Sequence, residues 1–330
     1  MGLVPLFTRE HPRRQPTGGM IHAAASEASL DLDRSRLIGD ASRDFEAGIA
    51  AGSAPSSFPR IAPDELDFTP PSPHPLRFVS MSTHELATLA VDGRIATLTL
   101  NRPDARNALS IDLLHALHAQ VDALGARTDV TVVVVAGAGK AFCAGMDLRA
   151  VLDDPHAPGV LLRHLADLTL KIRSLPQVTL AKVHGAAIGG GCGLSCVCDL
   201  AATNADSKMG YPEVDLGVCP AVVAPWLVRK IGPGAARRVL LSGGLMSGRE
   251  AFDLGMVDHL VERAEELDAH VAALATRLAS GGPHALRATK ELLNRLDGSL
   301  DAALLREAAA LSAKVVATEE TRAALRARMQ

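Results

Sequence analysis

The chain lacks any excess of one charge: 34 lysines and arginines stand against 37 aspartates and glutamates, a formal net charge of −3. The two signs are interspersed, with no basic stripe to track a phosphate backbone and no polybasic patch for an anionic lipid surface. Neither nucleic acid nor a membrane is expected as a partner. Long apolar runs are lacking too. None reaches the roughly 18 residues of a membrane span, and the first 30 residues have no apolar centre of a secretory signal, so a cytoplasmic protein is expected. Five cysteines (143, 192, 196, 198 and 219) form an odd set in apolar surroundings, which fits reduced thiols better than a disulfide framework. Cys192 and Cys196 stand at i, i+4 spacing, but their only carboxylate neighbour is Asp199 and no histidine is near, so no metal centre is expected.

Several familiar sites are missing as well. "GAGKAFCAG" contains a Gly-Lys pair, but a phosphate loop needs glycine where Val134 stands and serine or threonine where Ala141 stands. The glycines at 189 to 191 fail the dinucleotide pattern because Leu194 takes the third glycine's place. No G-x-S-x-G elbow and no H-E-x-x-H occurs.

What is present is a chain of 330 residues, 48% apolar, with ample material for a buried core. Residues 1–80 differ from the rest: they hold ten of the nineteen prolines, five of the seven phenylalanines and no cysteine. They are expected to be a disordered leader; an arm that docks on a partner and a true start at Met81 are the alternatives. From residue 81 onward strand and helix signals alternate. "RIATLTL" (94–100) and "TVVVVAG" (131–137) are β-rich, the second a continuous apolar run of the kind covered on both faces. Between them Ser110 is placed to cap a helix whose stripe is Leu113, Leu117, Val121 and Leu124. A helix at about 159–174 and a third buried strand, "QVTLAKVHG", follow. Ser247 and Glu250 form a capping box with a stop at Gly255. The expected class is α/β, with a core over 81–265 and a helical C-terminal region over 266–330.

The chemistry concentrates at two glycine-bearing strand exits, "FCAGMDL" (142–148) and "IGGGCGL" (188–194). Two such exits can aim two backbone N–H groups at one point, which is what an anionic oxygen formed from a carbonyl requires. Here four segments carry a resemblance: "NRPDARNALS" (101–110), "KAFCAGMDL" (140–148), "HGAAIGGGCGLSCVCDL" (184–200) and "MGYPEVDLGVCPAVVAPWLVRKIG" (209–232). In order and spacing they resemble the crotonase, or enoyl-CoA hydratase/isomerase, superfamily. The resemblance implies a spiral of ββα units, assembly as a homo-trimer or dimer of trimers, and an acyl-CoA thioester as substrate. No separate cofactor is implied, since coenzyme A is part of the substrate.

By position, the resemblance places the oxyanion-hole N–H groups at Met146 and Gly190 and an acid/base carboxyl at Glu213, in a Pro212-Glu213 pair. It places Ala105, Ala144, Asp147, Leu148 and Gly189 along the substrate path; Tyr211, beside Glu213, is a candidate to steer water or orient the carboxyl. A side chain at Gly190 is expected to crowd the thioester. Best-known hydratases carry a second glutamate where this chain has Gly193. A single carboxylate suffices for a 1,3-proton shift, which favours an isomerase. The run from the glycine triplet through "LGVCPAVVAPWLVRKIG" instead resembles a methylglutaconyl-CoA hydratase-like branch, in which Glu213 would protonate C2 and help to place water at C3. Hydration ranks above isomerisation, and a catalytically silent acyl-CoA-binding scaffold stays open as the reading from another class.

Overall fold

The computed structural model describes residues 85–147 and 156–329. The expectations for residues 1–80 and for Leu148 therefore lie outside the described residues. All described residues belong to one unit spanning 80–330.

The fold starts from a hairpin, β1 (Ala87–Asp92) and β2 (Ile95–Leu100), turned at Gly93. Helix α1 (Ile111–Gly125) follows, with the Ser110 hydroxyl accepting from Leu113 N–H and the four stripe residues buried. Strand β3 (Val132–Gly137) is next, then α2 (Ala157–Ser174), β4 (Val178–Val183), β5 (Ala186–Ile188) and the short helix α3 (Gly190–Val197). After β6 (Leu200–Asn204) and β7 (Lys208–Gly210) come α4 (Ala224–Ser242), broken at Gly232, then β8 (Leu245–Ser247), α5 (Gly248–Asp253) and β9 (His259–Val261). Four helices close the chain: α6 (Leu267–Ala279), α7 (Pro283–Leu296), α8 (Ala302–Val316) and α9 (Glu319–Met329). The Ser247–Glu250 capping box forms as the sequence requires.

The main sheet runs β1-β2-β3-β4-β6-β9, parallel except for the hairpin; a smaller sheet runs β5-β7-β8. The four valines of β3 show why its sequence does not alternate. Val133 and Val135 enter the large core beneath α1 and α2, while Val132 and Val134 meet Leu267, Val271 and Ala275 of α6 on the other face. Both faces are covered, and a polar residue has no place there.

The C-terminal helices are fastened by charge as well as by packing. Lys290 of α7 is buried, donates to Gln177 O at 2.8 Å and pairs with Asp199 at 2.7 Å; Asp199 also accepts from Thr179 N–H at 2.8 Å. Arg173 adds ion pairs to Asp199 at 3.4 Å and to Asp297 at 2.8 Å. A buried cation stripped of its partner costs more than the pair contributes. Asp199→Ala is therefore expected to lower unfolding stability by about 3 kcal/mol in urea denaturation; a loss below about 1 kcal/mol would show that the network is dispensable.

Candidate active site

The two strand exits are sewn together by a parallel bridge between Cys143 and Ala187. Cys143 N–H donates to Ala186 O at 3.0 Å, and Ile188 N–H donates to Cys143 O at 3.0 Å. Met146 is three residues past Cys143 and Gly190 three past Ala187, and both line one cavity; a Cβ on Gly145, next to Met146, would stand 3.9 Å from Gly190 N. A second bridge, Leu109 to Met146, fixes how the Met146 amide points. Its hydrogen bonds use Leu109 N–H to Gly145 O (2.7 Å) and Asp147 N–H to Leu109 O (3.0 Å), which turns the intervening Met146 N–H to the other side. Gly190 opens α3, where the first N–H groups have no carbonyl within the helix. Met146 and Gly190 thus both line one cavity, and the positive end of α3 lies at its wall.

Asn107 holds the first exit in place. It is fully buried, sits at φ +56°, and its side-chain amide donates to Ala138 O (2.9 Å), Ala141 O (2.8 Å) and Phe142 O (3.2 Å). The sequence motif containing it was legible; this threefold clamp was not.

Glu213 enters the same cavity from the turn after β7. Gly189, the cap of α3 at φ +52°, makes room for it: a Cβ there would stand 2.5 Å from Glu213 Oε1. Glu213 Oε2 is buried with no hydrogen-bond partner. Burial among apolar side chains disfavours the charged form and pushes the carboxyl up to about 7, with its own backbone N–H offsetting only part of the effect. Such a group can give or take a proton near neutral pH.

Ala144, Gly189 and Pro212 also line the cavity. A Cβ on Gly190 would meet Leu109 Cδ1 at 2.8 Å, in the core, and Leu165 Cδ2 at 3.4 Å, in the cavity wall. Ala105 and Asp147 lie outside the lining. Ala105 ends a short 3-10 turn, and Asp147 pairs with Arg102 at 2.7 Å, joining the first two sequence motifs. Tyr211 departs from its expected role. It is fully buried with its hydroxyl 3.6 Å from Cys196 Sγ, in the core behind the site. Met209 and Tyr211 share the buried face of an extended segment, a parity visible in the sequence.

Burial makes the thiols of Cys143, Cys192, Cys196 and Cys198 inert, while Cys219 is half-buried in the cavity wall. Burial pushes Cys143 up to about 12 and raises Cys192 well above the ordinary thiol range; Cys192 Sγ bridges Ala187 O and Gly210 N–H. Among the described residues no cluster of three or more metal-binding side chains forms, and no helix is long and apolar enough to cross a membrane.

Among the wall residues that escaped the sequence reading are Leu161, Leu162 and Leu165 of α2, and Val223 at the start of α4. The leucines followed a helical apolar stripe that any core helix would show. Val223 explains the missing glutamate. A Cβ on Gly193 would run into Val223 Cγ1, so no side chain fits at 193 while valine stands at 223.

The folded state keeps the Glu213 proton up to about pH 7, whereas an ordinary carboxyl releases it near 4.5. Folded protein therefore binds more protons between those values, and stability falls as pH rises through that window, by roughly 3 kcal/mol when complete. Glu213→Gln removes the titration. The difference in Tm between variant and wild type is expected to move in the variant's favour from pH 4.5 to pH 8; a constant difference contradicts a raised carboxyl.

Comparisons with known proteins identify the family. The sequence model of the enoyl-CoA hydratase/isomerase family matches residues 91–327. A probable enoyl-CoA hydratase of Mycobacterium tuberculosis is 33% identical over 227 residues, 68% of this chain and 88% of the relative. The short-chain-enoyl-CoA hydratase of Clostridium acetobutylicum is 29% identical over 243 residues, 72% of this chain and 92% of its own. An enoyl-CoA hydratase/isomerase crystal structure from Xanthobacter autotrophicus superposes with a TM-score of 0.67 at 28% identity, covering 74% of this chain and 96% of that one. By its fold, its four motifs and the family match across most of its length, the chain belongs to the enoyl-CoA hydratase/isomerase family.

Proposed function

We propose that the protein adds water across the double bond of a 2-enoyl-CoA thioester. The observation that carries this reading is the meeting, in one apolar cavity, of two amides free to receive a thioester oxygen and one carboxyl poised near neutral pH. Met146 and Gly190 N–H take the negative charge that moves onto the oxygen as C2 becomes nucleophilic; a single such donor is typically worth about 10²- to 10³-fold in rate. Glu213 in its acid form gives its proton to C2 through one oxygen while the other accepts a proton from the water whose oxygen bonds to C3. Atoms balance, and the carboxyl ends protonated as it began.

One observation favours a second reading. The place of a second carboxylate is closed by Val223, so proton transfer falls to Glu213 alone, which is sufficient for moving a double bond between C3 and C2. There Glu213 starts as the base, removing a proton from C2 of a 3-enoyl thioester and returning it to C4.

Among the described residues the cavity has no cationic lining, and its walls are chiefly aliphatic, with Cys219 and Ser312 the polar members beside Glu213. A short apolar acyl group suits them better than the second carboxylate of a methylglutaconyl-like substrate. Leu292, Leu293 and Leu296 of α7 are exposed, which supports homo-oligomeric assembly through the C-terminal helices.

Mass spectrometry of a short 2-enoyl-CoA and its 3-enoyl isomer, each incubated with enzyme in deuterated water, separates these readings. Water gain by the 2-enoyl substrate is expected; migration without water gain would favour the isomerase, and unchanged spectra would contradict both. Glu213→Gln is expected to lower turnover at least 10³-fold while sparing thioester binding measured by calorimetry; loss of binding alone would mark a scaffold. The pH profile carries the sign. kcat/KM for hydration should fall as pH rises through about 7, because the acid form acts, whereas migration begun by the carboxylate should rise through the same range.

A further inference from the structure

The first turn of α3 has one face without side chains. Gly189 and Gly193 lie one helical turn apart on it, joined by Gly193 N–H to Gly189 O at 3.0 Å. Two groups from elsewhere in the chain fill that face. The Glu213 carboxyl rests against Gly189, and the isopropyl group of Val223 rests against Gly193, where an added Cβ would lie 3.0 Å from Val223 Cβ and closer still to Cγ1. Carboxyl and isopropyl group are thus neighbours along the helix, and both line the cavity.

Val223 is held firmly. It is 3% exposed, its carbonyl accepts from Leu227 N–H at 3.2 Å, and the loop before it is tied to α8. Ser312 accepts from Ala221 N–H at 3.2 Å and donates to Cys219 O at 2.7 Å. The side chain therefore acts as a fixed wall beside the carboxyl.

From a 2-enoyl thioester, the carboxyl can serve two outcomes. Either a water beside it loses a proton while its oxygen bonds to C3, or C4 lies beside it and loses a proton as the double bond shifts to C3–C4. In both cases C2 gains a proton. What occupies the flank of the carboxyl decides between them. We propose that Val223 is a specificity-determining residue: by filling that flank it restricts the room for water and sets the partition of a bound enoyl thioester between water addition and double-bond migration. This rests on the reading of Glu213 as the acid/base group.

The titratable groups whose charge couples to Glu213 are Cys192, Cys219 and Tyr211, and burial raises each of them above its ordinary value. Glu213 is consequently the group in this cluster that changes charge near neutral pH, and its midpoint reports on Val223.

Two variants test the proposal. In Val223→Ala, the ratio of hydrated to migrated product from one 2-enoyl-CoA, read by mass spectrometry, is expected to rise at least tenfold. In Val223→Thr, which keeps the shape and puts a hydroxyl beside the carboxyl, the Glu213 midpoint is expected to fall by about one pH unit. That midpoint is read without substrate, from the pH dependence of Tm against the matching double variant with Glu213→Gln. A product ratio within twofold of wild type, or an unmoved midpoint, overturns the proposal. If wild type turns over no enoyl thioester, the Glu213 reading fails and the partition claim falls with it, whatever the midpoint; turnover with an unchanged ratio sinks the Val223 claim alone.

Discussion

Two hydrogen bonds, Cys143 N–H to Ala186 O and Ile188 N–H to Cys143 O, are what the site depends on. They join loops that leave two different sheets in parallel register, and past the joint Met146 and Gly190 line one cavity. The surroundings defend the register. Asn107 clamps the first loop through three carbonyls, and the bridge from Leu109 to Met146 fixes the amide's direction. In the proposed reaction such backbone donors, fixed before charge develops, would need no reorganisation.

The carboxyl is tuned by what is missing around it. Glu213 sits against glycine and apolar wall with no cation beside it, so burial raises it and its own backbone N–H offsets only part of the rise. That arrangement has a cost in stability at high pH, of the kind functional sites commonly carry. Its support comes from a distance: Ser312, about ninety residues on, pins the loop that presents Val223, and Lys290 and Asp199 hold the preceding C-terminal helix to the sheet.

Much of this was legible in the sequence. The run of four valines told of a strand covered on both faces, Ser110 and Ser247 marked two helix starts, and the four motifs located Met146, Gly190 and Glu213. The remainder lay in contacts between residues far apart in the chain. Nothing near Gly193 says that its space belongs to Val223, thirty positions later, and nothing near Asn107 says that its amide gathers three carbonyls. Three-residue strands such as β5, β7 and β8 are too short for a period to show. Tyr211 and Glu213 stand two positions apart, which in an extended segment would put them on one face, but the backbone turns helical at Glu213 and the two side chains part: Tyr211 is fully buried beside Cys196 and Glu213 lines the cavity.

The central claim is that two amides and one carboxyl act together on the α-carbon of a thioester. The most direct measurement uses a saturated substrate, butyryl-CoA, in deuterated water, where neither hydration nor migration can occur. Wild type should exchange deuterium for hydrogen at C2, seen by proton NMR, and Glu213→Gln should not. Exchange that persists in the variant, or fails in the wild type, would contradict the account.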